Sequence, residues 1–194
     1  MNRFFLNQDN FSNGEVRFPE DLSHQILHVL RLGEGDDVCV LDNQGQTYRV
    51  RLVADQASGS MKGVVVSSAP VTTEPETKLS LCFGLTNRDK VELILQKATE
   101  VGVSAFYPFI SERTMVQSTD LPTKKNARWE RIIREAAEQS GRGLLPKLHQ
   151  PMTLAACAQR VRVDHARILA AWEEAGDPSE HRLGKVVRTS IESL

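Results

Sequence analysis

Residues 79–110, LSLCFGLTNRDKVELILQKATEVGVSAFYPFI, decide the fold. Residues 79–85 are a largely apolar run of strand length, the pattern of a strand covered on both faces. Thr86-x-x-Asp89 is a helix-start signal of the capping-box kind. Val91, Ile94, Leu95, Ala98 and Val101 then recur at helical spacing and give the helix one apolar stripe. Gly102 suits the position just past the helix end, where a left-handed residue closes the last turn. Residues 105–110 return to an apolar strand run. Strand, helix, strand at this spacing is a βαβ unit, which requires parallel strands.

The same pattern continues downstream. Residues 111–123 read as a loop, 124–142 as a helix, 151–161 as a further helix and 167–172 as a strand. This is an α/β domain with a mostly parallel sheet. Upstream, residues 70–76 (PVTTEPE) have the composition of a linker. Before them the chain is β-rich: residues 37–41 are apolar, 42–45 signal a turn, and 47–53 (TYRVRLV) alternate. Ser58-Gly59 marks another turn and 63–67 another strand, with one helical segment between Pro19 and Leu32. Short strands, tight turns and one helix indicate a small barrel. The expected organisation is an all-β domain over 1–70, a linker over 71–77 and an α/β domain over 78–194.

Composition narrows the function. Forty per cent hydrophobic and 25% charged residues describe an ordinary soluble chain of 194 residues. A formal charge of −1 gives no global attraction to nucleic acid, so an RNA surface must be local. No apolar run approaches the roughly 18 to 20 residues of a membrane span. The N-terminus, MNRFFLNQDN, lacks a signal-peptide pattern. Three scattered cysteines, Cys39, Cys82 and Cys157, suit reduced thiols in the cytoplasm.

Several residues stand out. Residues 128–146, RWERIIREAAEQSGRGLLP, start as an amphipathic helix with Trp129, Ile132, Ile133, Ala136, Ala137 and Ser140 on one stripe. Glu135, Gln139 and Arg142 then share a flank beside Gly141 and Gly143, either as a polar binding surface or as solvated pairs such as Arg134–Glu138 and Glu138–Arg142. Arg113 follows the second strand of the βαβ unit, where α/β proteins build sites, or forms a salt bridge with Glu112 or Glu100. Lys90 and Lys97 share one helix side, facing phosphate or solvent. Lys124, Lys125, Arg128, Arg131 and Arg134 form a basic run able to grip phosphates, with Trp129 read as core. His24 and His28 have metal-ligand spacing but no evident third ligand, so no metal is expected. Arg31 is placed at the end of its helix. Dinucleotide, P-loop, nucleophile-elbow and zincin motifs are absent from the sequence.

Five segments in register resemble one family: MNRFF at the start, HQILHVLRLGEGD at 24–36, DKVELILQKATEVGVSAFYPFISERTMV at 89–116, RWERIIREAAEQSGRGLLPKL at 128–148 and ILAAWEEA at 168–175. The chain resembles the bacterial small-subunit ribosomal RNA uracil-N3 methyltransferases of the SPOUT class. That resemblance implies a PUA-like barrel followed by an α/β knot domain, a homodimer, S-adenosyl-L-methionine as methyl donor and small-subunit rRNA as substrate. It points to Arg113, Glu138, Gln139 and Arg142 as catalytic, to Arg3, His24, Arg31 and Lys97 as RNA contacts, and to Glu173 at the donor. Two departures stand against it. Thr86-Asn87-Arg88 replaces a Pro-Lys-Gly-like turn, with Arg88 the substitute for its lysine. Family members also continue through a Gly-Pro-Glu-Gly-Gly loop and a Leu-Gly-x-x-Ile-Leu-Arg-x-Glu-Thr-Ala segment that complete the knot. Residues 183–189 (LGKVVRT) are like the second, but follow Trp172 too closely to be it. The expectation is a C-terminally incomplete knot domain, hence either a methyltransferase or an RNA-holding fragment without its donor pocket.

Overall fold

A computed structural model of the chain describes residues 1–55, 61–112, 114, 119–163 and 167–169. The chain divides into two compact units, Met1–Leu154 and Ala155–Leu194, and both sheets lie in the first.

The first sheet has six strands: β1 (Arg3–Phe5), β2 (Phe11–Ser12), β3 (Glu15–Arg17), β4 (Asp37–Leu41), β5 (Gln46–Ala54) and β6 (Met61–Pro70), in the order β1-β4-β5-β6-β3-β2. β1 runs parallel to β4, and every other pairing is antiparallel. The β4–β5 reversal is built by Asp42, whose Oδ1 accepts from the amides of Gln44 and Gln46 at 2.8 and 3.0 Å. Alternation along the strands buries Phe4, Val16, Val38, Val40, Val50 and Leu52 on one face, against Ile26. The helical segment differs from the expected regular helix. α1 (Glu20–His24) makes barely more than a turn and widens into a π-helical turn, Gln25–Val29. Arg31 is therefore not a helix terminus: it lies beyond the turn, exposed, at φ +56°.

The second sheet is parallel and begins at β7 (Leu79–Gly84). α2 (Arg88–Glu100) crosses to β8 (Val103–Ile110), and α3 (Thr123–Ser140) crosses to β9 (Lys147–Leu148) and β10 (Met152–Thr153). These last two pair with successive parts of one β8 edge, Ala105–Phe106 and Phe109–Ile110. The cap of α2 is Asn87, one residue later than expected: its Oδ1 accepts from the Lys90 amide at 3.2 Å. Gly102, at φ +101°, closes the helix as expected. Phe83, Val91, Leu95, Phe106 and Ile133 pack around Trp129, which is fully buried as the core reading required. α4 (Leu154–Val163) follows β10. Of the strand expected over 167–172, residues 167–169 are irregular and the rest lie outside the described residues.

Residues 71–77 carry no helix or strand, yet they are packed in place. A Cβ built on Gly143 would fall 2.0 Å from Val71 Cγ1, and one on Gly102 would fall 2.7 Å from Pro75 Cγ. Phe5, Cys39 and Leu41 of the first sheet bury against Ala137 of α3. Among the described residues, no helix is long and apolar enough to cross a membrane.

Gly143→Ala forces Val71 or the loop to move and is expected to cost about 1–3 kcal/mol. Gly33→Ala, with nothing near its Cβ, stays within about 0.5 kcal/mol of wild type. Urea unfolding of the two variants decides; equal losses would refute the packed-segment reading.

Candidate functional site

α3 ends because Gly141 turns left-handed, at φ +77°. The next residue is thereby turned back into the protein: Arg142 is only 4% exposed. Its guanidinium is fully engaged. Nη1 donates to the carbonyls of Val103 and Thr99, while Nη2 and Nε reach the Glu74 carboxylate at 2.5 and 3.4 Å. Glu74 Oε1 also accepts from the amides of Gly143 and Leu144 at 2.8 and 3.1 Å. Burial by itself raises the Glu74 carboxyl, but hydrogen bonds from Arg142, Gly143 and Leu144 outweigh it and hold the group below its ordinary value. The flank of Glu135, Gln139 and Arg142 drawn from helical spacing is corrected: the helix stops at Ser140, so Arg142 leaves the flank and serves this buried pair.

One turn earlier, α3 meets the edge strand β1. Glu138 Oε1 accepts from the Phe5 amide at 3.1 Å, and Arg134 Nη1 donates to the Phe5 carbonyl at 2.7 Å. Two side chains thus satisfy both backbone groups of one edge residue, as a neighbouring strand would. The anticipated Arg134–Glu138 and Glu138–Arg142 solvated pairs give way to these contacts. Burial pushes the Glu138 carboxyl above its ordinary value, and the Phe5 amide and Arg134 only partly offset this.

Glu138 walls two clefts. The larger, of about 650 Å³, lies between α2 and α3 and includes Gln25, Gln96, Glu100, Glu135 and Gln139. The smaller, of about 390 Å³, lies beside β1 with Phe4, Asn10, Gln25, Arg131 and Arg134. Glu138 and Gln139 are therefore brought to one cleft. Arg142 is not, and it sits at the amino end of β8, whereas Ser111 follows the carboxyl end, roughly 25 Å away at the rise of a strand. Arg113 and Glu173 lie outside the described residues.

The basic run is largely absorbed by structural contacts. Arg128 and Arg88 both donate to Glu92, at 2.6 and 2.9 Å, and hold its carboxyl at about 2. Arg88, the substitute for the missing lysine, is thus occupied there. Arg131 pairs with Glu135 at 3.6 Å, and Lys125 lies over the Trp129 ring. Lys97 is exposed but paired with Glu100 at 2.9 Å. His24 lies against His28 with ring centroids 4.7 Å apart and the planes tilted by 47°, and no cluster of three or more metal-ligating side chains occurs among the described residues. Arg3 lies beside Gly141, with its Nε buried and unpartnered. Sequence reasoning missed Glu74, whose only signal was a carboxylate between prolines and threonines, and the anchoring role of Arg134.

Comparison with known proteins gives a consistent picture. Residues 73–193 match the family described as RNA methyltransferase domain. The chain is 32% identical over 158 residues to the ribosomal RNA small subunit methyltransferase E of Bacillus subtilis, covering 81% of this chain and 61% of that protein. It is 34% identical over 138 residues to the protein of the same name from Synechocystis, covering 71% and 44%. The chain thus spans about half to two thirds of these relatives. The crystal structure of a ribosomal RNA small subunit methyltransferase E from Neisseria gonorrhoeae, bound to S-adenosyl methionine, superimposes with a TM-score of 0.71 at 25% identity, over 94% of this chain and 74% of that one.

Glu74→Gln is expected to lose roughly 3 kcal/mol, the low end for breaking a buried pair because the carboxylate is still partly wet. The pair also makes the protein acid-sensitive. The folded Glu74 value lies below the unfolded one, so its stabilisation is present above about pH 4.5 and is lost as pH falls. Glu74→Gln abolishes that part of the acid slope in urea titrations at several pH values. Glu138 has the opposite sign: its raised folded value makes stability fall as pH rises through it. Glu138→Gln flattens that fall in the same measurement, and an unchanged profile would contradict the burial argument.

Proposed function

The chain belongs to the family of RNA methyltransferase domains, and on that premise we propose that it transfers a methyl group from S-adenosyl-L-methionine to N3 of one uridine in small-subunit ribosomal RNA. The observation that carries this reading is the family match over 73–193, together with relatives named small-subunit rRNA methyltransferases. In the proposed assembly the first sheet is a PUA-like RNA-holding barrel, and the enzyme is a cytoplasmic homodimer. Exposed Leu79 and Val101 offer apolar area for a second copy.

The chemistry sets what the residues must do. N3 of uridine is a weakly acidic N–H, so methylation needs a proton acceptor and stabilisation of the uracil anion. Glu138, desolvated at the wall of both clefts, is suited to accept that proton. Gln139 beside it suits a hydrogen bond to a uracil carbonyl, and Arg113 is the group for the anion. Arg142 is a positioning residue that fixes the end of α3 through Glu74. His24, Arg31 and Lys97 serve the RNA. When bound, the donor supplies an electrophilic methyl group. The larger cleft does not fit the donor: Asp89, Glu92, Glu100, Glu135 and Glu138 line it, whereas an adenosyl group needs a chiefly apolar slot. This cleft is therefore read as belonging to the RNA side of the reaction.

Incubation with methyl-labelled donor and small ribosomal subunits that lack the modification should place label in the rRNA, recovered as N3-methyluridine by nucleoside mass spectrometry. Glu138→Gln should slow transfer at least about tenfold, the scale of one acid–base group. Label on another base, or none from a folded chain, would refute the reading.

A further inference from the structure

The register of the first sheet shows a cationic strip that lies outside the family model, whose matched residues begin at 73. Core residues Phe4, Val38, Val40, Val50, Leu52, Gly63 and Val16 define the inner face, so alternate residues point outward. Arg3 pairs with Cys39, and Cys39 with Arg49. Asp37 pairs with Arg51, and Arg51 with Val64, which stands opposite Glu15. Val53 pairs with Lys62, and Lys62 with Arg17. Five cations thus share the outer face. They meet three carboxylates: Asp37, Glu15 and Asp55 at the end of β5. In a chain of formal charge −1, this is a local positive surplus.

The arginines on this face are also pre-set. Arg49 Nε and Nη2 bind Asp37 Oδ2, and Arg51 Nε and Nη2 bind Oδ1 and Oδ2. One carboxylate therefore orients two guanidinium groups while their side chains stay 54% and 49% exposed. Fixed guanidinium forks suit phosphate oxygens, and less order is lost on binding. The cations span β3 to β1, roughly 19 Å at the spacing of neighbouring strands, and between Arg49 and Arg3 the face passes under α3, where Cys39 is buried against Ala137. At its β1 end, Arg3 lies against Gly141, one turn from Glu138 and Gln139.

We propose that Arg3, Arg17, Arg49, Arg51 and Lys62 form a track that grips the phosphate backbone of RNA and leads it to the end of α3. The proposal rests on the RNA-methyltransferase reading and names a surface for it. The groups on the strip that suit RNA are its cations, which outnumber the carboxylates Asp37, Glu15 and Asp55, so its grip is on phosphates and is independent of base sequence.

The test is fluorescence anisotropy of a labelled small-subunit rRNA fragment with the full chain over a range of salt. The quadruple variant R17Q/R49Q/R51Q/K62Q should bind at least about tenfold more weakly at low salt. Its slope of log affinity against log salt should shrink by about three, from the loss of four phosphate contacts at roughly 0.7–0.9 each. R49K/R51K keeps the charge and should keep the slope, whereas R17Q/K62Q, which leaves the Asp37 cluster untouched, should lose about half the effect. K90Q/K124Q, of equal charge change on the helices, should change nothing. A folded quadruple variant with the wild-type slope overturns the proposal, as does a wild-type chain with no salt dependence. RNA gripped by this face without methyl transfer would sink the activity and leave the track. Transfer with an unchanged slope in the variants would do the reverse.

Discussion

The end of α3 is organised around one buried ion pair. Arg142 has left water almost completely, and a buried guanidinium is tolerated only if its donors are met. Glu74 meets them from a segment that sequence composition marks as spacer, and the carbonyls of Val103 and Thr99 complete the set. The consequence reaches three elements at once. The pair ties residues 71–77 to the start of β8, fixes the loop into β9, and anchors the chain just past the last turn of α3. Gly141 and Gly143 are required by the same geometry: one supplies the left-handed reversal, the other the space that Val71 fills.

From that fixed end, α3 acts as the connection between the sheets. Its apolar stripe serves two cores: Trp129 and Ile133 pack under the parallel sheet, while Ala137 packs against Phe5, Cys39 and Leu41. Its polar side chains complete the edge of β1 through Glu138 and Arg134. Glu138 thus has a structural cause for its position and a chemical consequence of it. Burial against β1 raises its affinity for a proton, the property a proton acceptor at a cleft wall requires.

Local patterns were the legible part of the fold. β4 falls on the residues its apolar run marks, and α2 and β8 follow the helical stripe and Gly102. Trp129 is core because its spacing places it on the stripe. What escaped depends on partners distant in sequence. β1, β2 and β3 are two or three residues long and exist only through pairing, so no periodicity announces them. Helical spacing makes Arg142 one more position on a wheel, because the left-handed residue that ends the wheel at Gly141 is a backbone event and its acidic partner lies 68 residues earlier. The resemblance named Glu138 and Gln139, but not the reason that Glu138 is desolvated.

Charge is divided by face. The α2–α3 cleft gathers carboxylates, and most cations near it are paired: Arg128 and Arg88 with Glu92, Lys97 with Glu100, Arg131 with Glu135. A helix face so neutralised keeps little positive surplus, and Lys97 reaches RNA only by leaving Glu100. The outer face of the first sheet has the opposite arrangement, with one carboxylate shared by two guanidinium groups, so a positive remainder persists after pairing. A nearly neutral chain can therefore bind phosphates on one surface and leave an acidic, proton-accepting wall at another. The two meet where Arg3 reaches Gly141, and this is where a base lifted from a backbone held on the track would first encounter Glu138.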